Sequence, residues 1–122
     1  MAESKIKANS VLNSAVELKS QRILKTDSLP ISIYIPNPTQ YRALYVCVIF
    51  DSNNGGTIYI PRELYNVRIP YYITSQNNNF PQGSGYSGYI QGEINLNIST
   101  FVIKYLNTGE WAGVDINIYG IA

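Results

Sequence analysis

The segment Ile90-Gln91-Gly92-Glu93-Ile94-Asn95-Leu96-Asn97-Ile98 decides the fold. Ile90, Ile94, Leu96 and Ile98 fall on one parity, and Gln91, Glu93, Asn95 and Asn97 fall on the other. Successive side chains of an extended chain point to opposite faces, so this pattern predicts a strand with one buried face and one open face. Working outward, the same period recurs. Ile31, Ile33 and Ile35 alternate with Ser32 and Tyr34, and Phe101–Leu106 and Val114–Ile121 flank a turn at Asn107-Thr108-Gly109-Glu110. Tyr41–Phe50 is apolar on both parities and reads as the most buried strand.

Between these runs lie turn signals. Asp51-Ser52-Asn53-Asn54-Gly55-Gly56 is rich in residues that tolerate left-handed backbone conformations. Strands are expected over Thr57–Ile60 and Val67–Thr74, and Pro61 and Pro70 place both at edges or bends because proline donates no ladder hydrogen bond. The longest loop is expected over Ser75–Gly88. Strands at intervals of about 8–12 residues, with no helical crossover between them, predict an all-β chain: an antiparallel β-sandwich or jelly roll of about seven or eight strands. Residues 1–25 read as an N-terminal arm, extended after Ser14, and residues 26–122 as the sandwich domain.

The length of 122 residues allows one core. Only 14% of the residues are charged, against about 25% in an average soluble protein. Eleven Tyr and thirteen Asn take polar places that Lys and Glu usually fill. The absence of His and the single Cys exclude a Ser-His-Asp or Cys-His centre, an internal disulfide and a zinc site of Cys and His, so no metal and no cofactor is expected. Cys47, between Val46 and Val48, reads as a small buried hydrophobe. A net charge of +1 supplies no reason to expect nucleic acid as a partner. The arm is basic, with Lys5, Lys7, Lys19, Arg22 and Lys25 against Glu3 and Glu17. There is no apolar run of the ~18 residues a membrane helix needs, and no signal peptide is recognisable, so synthesis in the cytoplasm without membrane insertion is expected.

Several patterns that resemble sites have plainer readings. Gly83-Ser84-Gly85-Tyr86-Ser87-Gly88 has the letters of a dinucleotide fingerprint, but that motif requires a preceding strand and a following helix, and here a strand follows. The turn at Asp51 begins like a calcium loop, yet Arg62 stands where a bidentate Glu is required. Asn97-Ile98-Ser99 matches a glycosylation acceptor by chance on a chain without a secretory route. A glycosidase needs two carboxylates about 5–10 Å apart. Glu93 and Asp115 lie on polar strand faces and would meet only if their strands pair; each reads better as a solvated or paired acid, and the chain is not expected to be an enzyme.

The candidate ligand or interface residues are Asn77, Asn78, Asn79, Phe80, Tyr86, Tyr89 and Trp111. Amides and aromatics without net charge suit hydrogen bonding and stacking on neutral glycans. Trp111, beside a turn, reads as a lid on the core or an interface anchor, or as a stacking surface. Tyr34, Tyr59 and Tyr119 recur on polar strand faces, where a tyrosine presents flat apolar area together with a hydroxyl.

A small β-domain rich in Ile, Tyr and Asn, free of His and preceded by a basic arm, resembles the β-domains of bacteriophage virions: capsid decoration, head-fibre and tail-fibre tip proteins. The resemblance rests on composition and strand pattern across the body. It implies a non-enzymatic virion component, acting as a symmetric homo-oligomer, often a trimer, whose arm anchors to other virion proteins or exchanges between subunits. The alternative is a stand-alone carbohydrate-binding module that recognises a cell-surface glycan.

Overall fold

The period-two segments form strands whose apolar parity turns inward. A computed structural model describes residues 15–51, 55–76 and 87–122. The strands are β1 (Ala15–Leu24), β2 (Ile31–Tyr34), β3 (Ala43–Phe50), β4 (Gly55–Pro61), β5 (Arg68–Gln76), β6 (Ser87–Asn95), β7 (Thr100–Asn107) and β8 (Gly113–Ile121). They build two four-stranded sheets of order β1-β8-β3-β4 and β2-β7-β6-β5, and every pairing is antiparallel. The chain is thus an all-β sandwich. Pairs β1·β8 and β2·β7 bring the first strands onto the last two, whereas β3-β4, β5-β6 and β6-β7 are hairpins between consecutive strands. Pro61 and Pro70 both sit on edge strands, β4 and β5, where a missing N–H leaves the ladder intact.

The core lies between the sheets. Leu44, Val46, Val48 and Phe50 of β3 are fully buried, and Ile90, Ile94, Phe101 and Ile103 are equally buried in the second sheet. Each such side chain contributes on the order of 1.5–3 kcal/mol of burial. Tyr71 of β5 lies directly across from Gly92 of β6, and its ring stacks on Phe101 of β7 at 4.6 Å. Its hydroxyl donates to the Val102 carbonyl at 2.8 Å, so this buried phenol keeps a hydrogen-bond partner.

Four local expectations change. Tyr41–Phe50 is not buried on both sides, because a two-layer sandwich covers only one face of each sheet: Tyr45, Cys47 and Ile49 are half-buried on the outer face. The alternation starting at Ile90 stops at Asn95, whose side chain accepts the Asn97 N–H at 3.1 Å. Leu96–Ile98 then forms a 3₁₀ turn closed by Ser99 at φ 56°, which leaves Ile98 64% exposed. Within the expected arm, residues 15–24 are β1, an edge strand paired along its length with β8 and anchored by the buried Ile23. From Ala15 onward the expected arm is thus a strand of the sandwich. The hairpin β5-β6 extends to the pairs Ser75↔Gly88 and Gln76↔Ser87, which narrows the long loop from both ends.

Candidate binding surfaces

Of the residues singled out from the sequence, Asn77, Asn78, Asn79, Phe80 and Tyr86 lie outside the described residues. So do residues 83–86 of the glycine-rich motif, whose last two positions, Ser87 and Gly88, open strand β6. Tyr89 and Trp111 are described, and they face opposite ways. Tyr89 lies on the outer face of the second sheet, its ring stacked on Tyr72 at 5.7 Å. Beside this pair, Thr74, Gly88 and Asn107 line a hollow of about 200 Å³. Trp111 is 5% exposed and lies against Phe50 at 5.3 Å, where it closes one end of the core. Gly88 separates the two: a Cβ there would come within 2.7 Å of the Asn107 carbonyl and 3.3 Å of the Trp111 ring.

The outer face of the second sheet carries three widely exposed tyrosines. Tyr34 of β2, Tyr72 of β5 and Tyr105 of β7 are each about 60% exposed. Tyr72 and Tyr105 flank Gln91 across β5-β6-β7, so two large rings stand on one transverse row. Val102 and Pro70 lie on the row that also holds Ser32 and Glu93.

The outer face of the first sheet is ordered in similar rows. Glu17, Tyr119, Tyr45 and Tyr59 are in register across all four strands, and the Tyr45 and Tyr59 rings meet edge to face at 6.0 Å. The next row reads Ser20, Asn117, Cys47 and Thr57, with the Ser20 hydroxyl donating to Asn117 Oδ1 at 2.7 Å. Burial pushes the Cys47 thiol above its ordinary pKa, so the neutral form is favoured there.

Beyond the tyrosine row, at the open end of the β3-β4 hairpin, lies a pocket of about 390 Å³. Tyr45 and Tyr59 line one side, and Pro61 and Ile121 supply further apolar lining. Arg42, immediately before β3, and Arg62 and Glu63, immediately after β4, add two cations and one acid. Arg62 is positioned by its Nη2 donating to the Tyr41 carbonyl at 3.0 Å, with its guanidinium 5.9 Å from the Tyr65 ring. Arg42 has no ion pair among the described residues.

The acids weighed as a catalytic pair are held apart. Glu93 is on β6 and Asp115 on β8, strands of different sheets that do not pair. Asp51 and Asp115 instead share Arg22, whose Nη1 stands 2.9 Å from Asp51 Oδ1 and 3.3 Å from Asp115 Oδ1. Asp51 Oδ2 also accepts the Ala112 and Gly113 N–H groups at 3.1 and 3.2 Å. The first position of the supposed calcium loop is therefore committed to tying three strands together.

Tyr59 and Tyr119 are legible in the sequence as open-face tyrosines, whereas no local motif marks Arg42, Arg62 and Glu63 as part of a site. Positions paired across the β3-β4 hairpin sum to 104, as with Ala43 and Pro61 or Tyr45 and Tyr59. Continuing that register places Arg42 opposite Arg62, a signal that appears once the centre of the turn is assigned. Compared with known proteins, the chain matches no family model, no curated protein and no solved structure.

Proposed function

We propose that this chain is a non-enzymatic structural and binding component of a virus particle, acting as a symmetric homo-oligomer. The observation that carries this reading is the outer face of the second sheet, where Tyr34, Tyr72 and Tyr105 each stand about 60% exposed. Tyrosine is enriched at protein interfaces because it buries a large ring while keeping a hydroxyl satisfied. A face of this kind is explained by covering it with a neighbouring subunit. Of the cations of the basic arm, Lys5 and Lys7 precede β1 and suit contact with an acidic neighbour.

Deleting residues 1–25 would remove β1 and its buried Ile23, so loss of assembly would report on folding alone. Deletion of residues 1–14 leaves all eight described strands in place. The full chain is expected to sediment as an oligomer, with the Y72K/Y105K variant folded but shifted to monomer. A monomeric full chain at micromolar concentration would overturn the reading. A stand-alone carbohydrate-binding module is the second reading, favoured by the Tyr72–Tyr89 stack beside Thr74 and Asn107. Retained glycan binding by a monomeric 1–14 deletion would support it instead.

A further inference from the structure

We infer that the pocket at the open end of the β3-β4 hairpin is a binding site for an acidic sugar, a pyranose ring bearing a carboxylate. This deepens the reading of the chain as a particle component that displays a binding surface, and it places that surface on the first sheet. The volume of about 390 Å³ accommodates a monosaccharide with room for a second ring.

The chemistry of the lining selects the ligand class. A pyranose has an apolar face of C–H groups and an equatorial rim of hydroxyls. Tyr45 and Tyr59 meet edge to face, so the two rings form a corner rather than a flat shelf, and a single ring can rest in it. Pro61 and Ile121 extend the apolar contact without competing for hydrogen bonds. Glu63 is an acceptor for sugar hydroxyls.

The two arginines make the site selective for an anion. Arg42 and Arg62 project from the two facing ends of one hairpin, against one carboxylate from Glu63. A guanidinium presents five donors in a planar fork matched to a carboxylate. Arg62 spends one donor on the Tyr41 carbonyl, which fixes its position and leaves other N–H groups for a ligand. Arg42 is exposed and has no ion pair among the described residues. Two cations against one acid leave the lining with a net positive charge, which a carboxylated sugar complements and a neutral one does not.

The test is a titration of the full-length chain with N-acetylneuraminic acid and with glucuronic acid, read by NMR, alongside methyl glucoside as the neutral probe. Saturable shifts confined to the β3-β4 hairpin, Arg42 and Glu63 are expected with the acidic sugars, weakening as salt rises. Arg42→Gln is expected to weaken binding about tenfold, the loss of one charge-assisted contact. Tyr59→Ala is expected to abolish it. Arg42 and Tyr59 are both exposed, so neither variant threatens the core. Tyr89→Ala, in the hollow on the opposite sheet, should leave binding unchanged.

Equal binding of methyl glucoside, or no shift at the hairpin with either acid, would overturn the assignment. So would loss of binding in the Tyr89 variant with retention in the Arg42 variant. Native mass, measured on the same samples, reports on assembly separately: a monomer that binds acidic sugar sinks the oligomer reading and leaves this site standing.

Discussion

Arg22 grips Asp51 with two parallel contacts, Nη1 to Oδ1 at 2.9 Å and Nη2 to Oδ2 at 3.0 Å. The pair joins edge strand β1 to the end of β3, and Asp51 in turn accepts two N–H groups at the start of β8. Three strands that are distant in sequence are thus clipped at one corner of the first sheet. Replacing Asp51 with Ala is expected to cost about 1 kcal/mol, the usual scale for a solvent-screened pair with hydrogen bonds to the backbone. Amide exchange in β1 should accelerate more than in β6. Arg22→Lys should not match the native protein, since an ammonium cannot make the two-pronged contact. Thermal melts and hydrogen exchange check both.

The same clip sets an acid limit on stability. Arg22, first, and the Gly113 and Ala112 N–H groups hold the Asp51 carboxyl below the ordinary carboxylate range. A depressed folded-state pKa means that the stabilisation is present above the unfolded value of about 3.9 and is lost as pH falls through the lower folded value. Melting temperature should therefore drop below about pH 4, and Asp51→Asn should show a shallower drop there. An identical acid profile for both proteins would show that the clip contributes nothing.

Trp111 and Gly88 depend on each other's shape. Trp111→Ala opens a void against Phe50 and is expected to cost about 3–5 kcal/mol. Gly88→Ala pushes a methyl group toward the Asn107 carbonyl and the Phe50 and Trp111 rings, and should cost about 1–3 kcal/mol. Denaturant unfolding of the two single variants and the double variant tests the coupling. In the double variant the void accepts the methyl group, so the costs should sum to less than their total.

Tyr71 tests whether the bridge across Gly92 carries energy beyond packing. Tyr71→Phe keeps the stack on Phe101 but leaves the Val102 carbonyl without its donor, for an expected loss of about 1 kcal/mol. Burial raises the Tyr71 phenol well above its ordinary pKa. It should remain un-ionised in alkaline titrations monitored by tyrosinate absorbance until the fold opens.

Cys47 lies on an outer sheet face, yet half-burial holds its thiol in the neutral form. Alkylation by iodoacetamide at mildly alkaline pH is expected to run slower than for a free thiol and to reach the free rate on unfolding. Labelling at the free rate in the native protein would contradict the burial of this position.

Much of the sandwich is legible in the sequence. The parity of Ile31, Ile33, Ile90 and Ile94 identifies buried faces because burial of an extended chain repeats every second residue. Pro61 and Pro70 mark edges because they lack a donor. The misplaced features are those where neighbours outvote local pattern. Ile98 continues a perfect alternation, yet the Asn95 side chain and the left-handed Ser99 turn the chain and expose it. Cys47 reads as core from its neighbours in sequence, but the face it occupies has no second layer over it among the described residues.

Strand content, inward parity, edge prolines and the lack of histidine chemistry are properties of the sequence alone, since each depends only on residue type and spacing. The corner where Arg22 meets Asp51, the tyrosine row of 119, 45 and 59, and the meeting of Arg42 and Arg62 at one pocket belong to the tertiary structure. Those relationships depend on which strands become neighbours and in what register. That choice follows from burying two apolar faces against each other over the whole chain, a condition no local window contains.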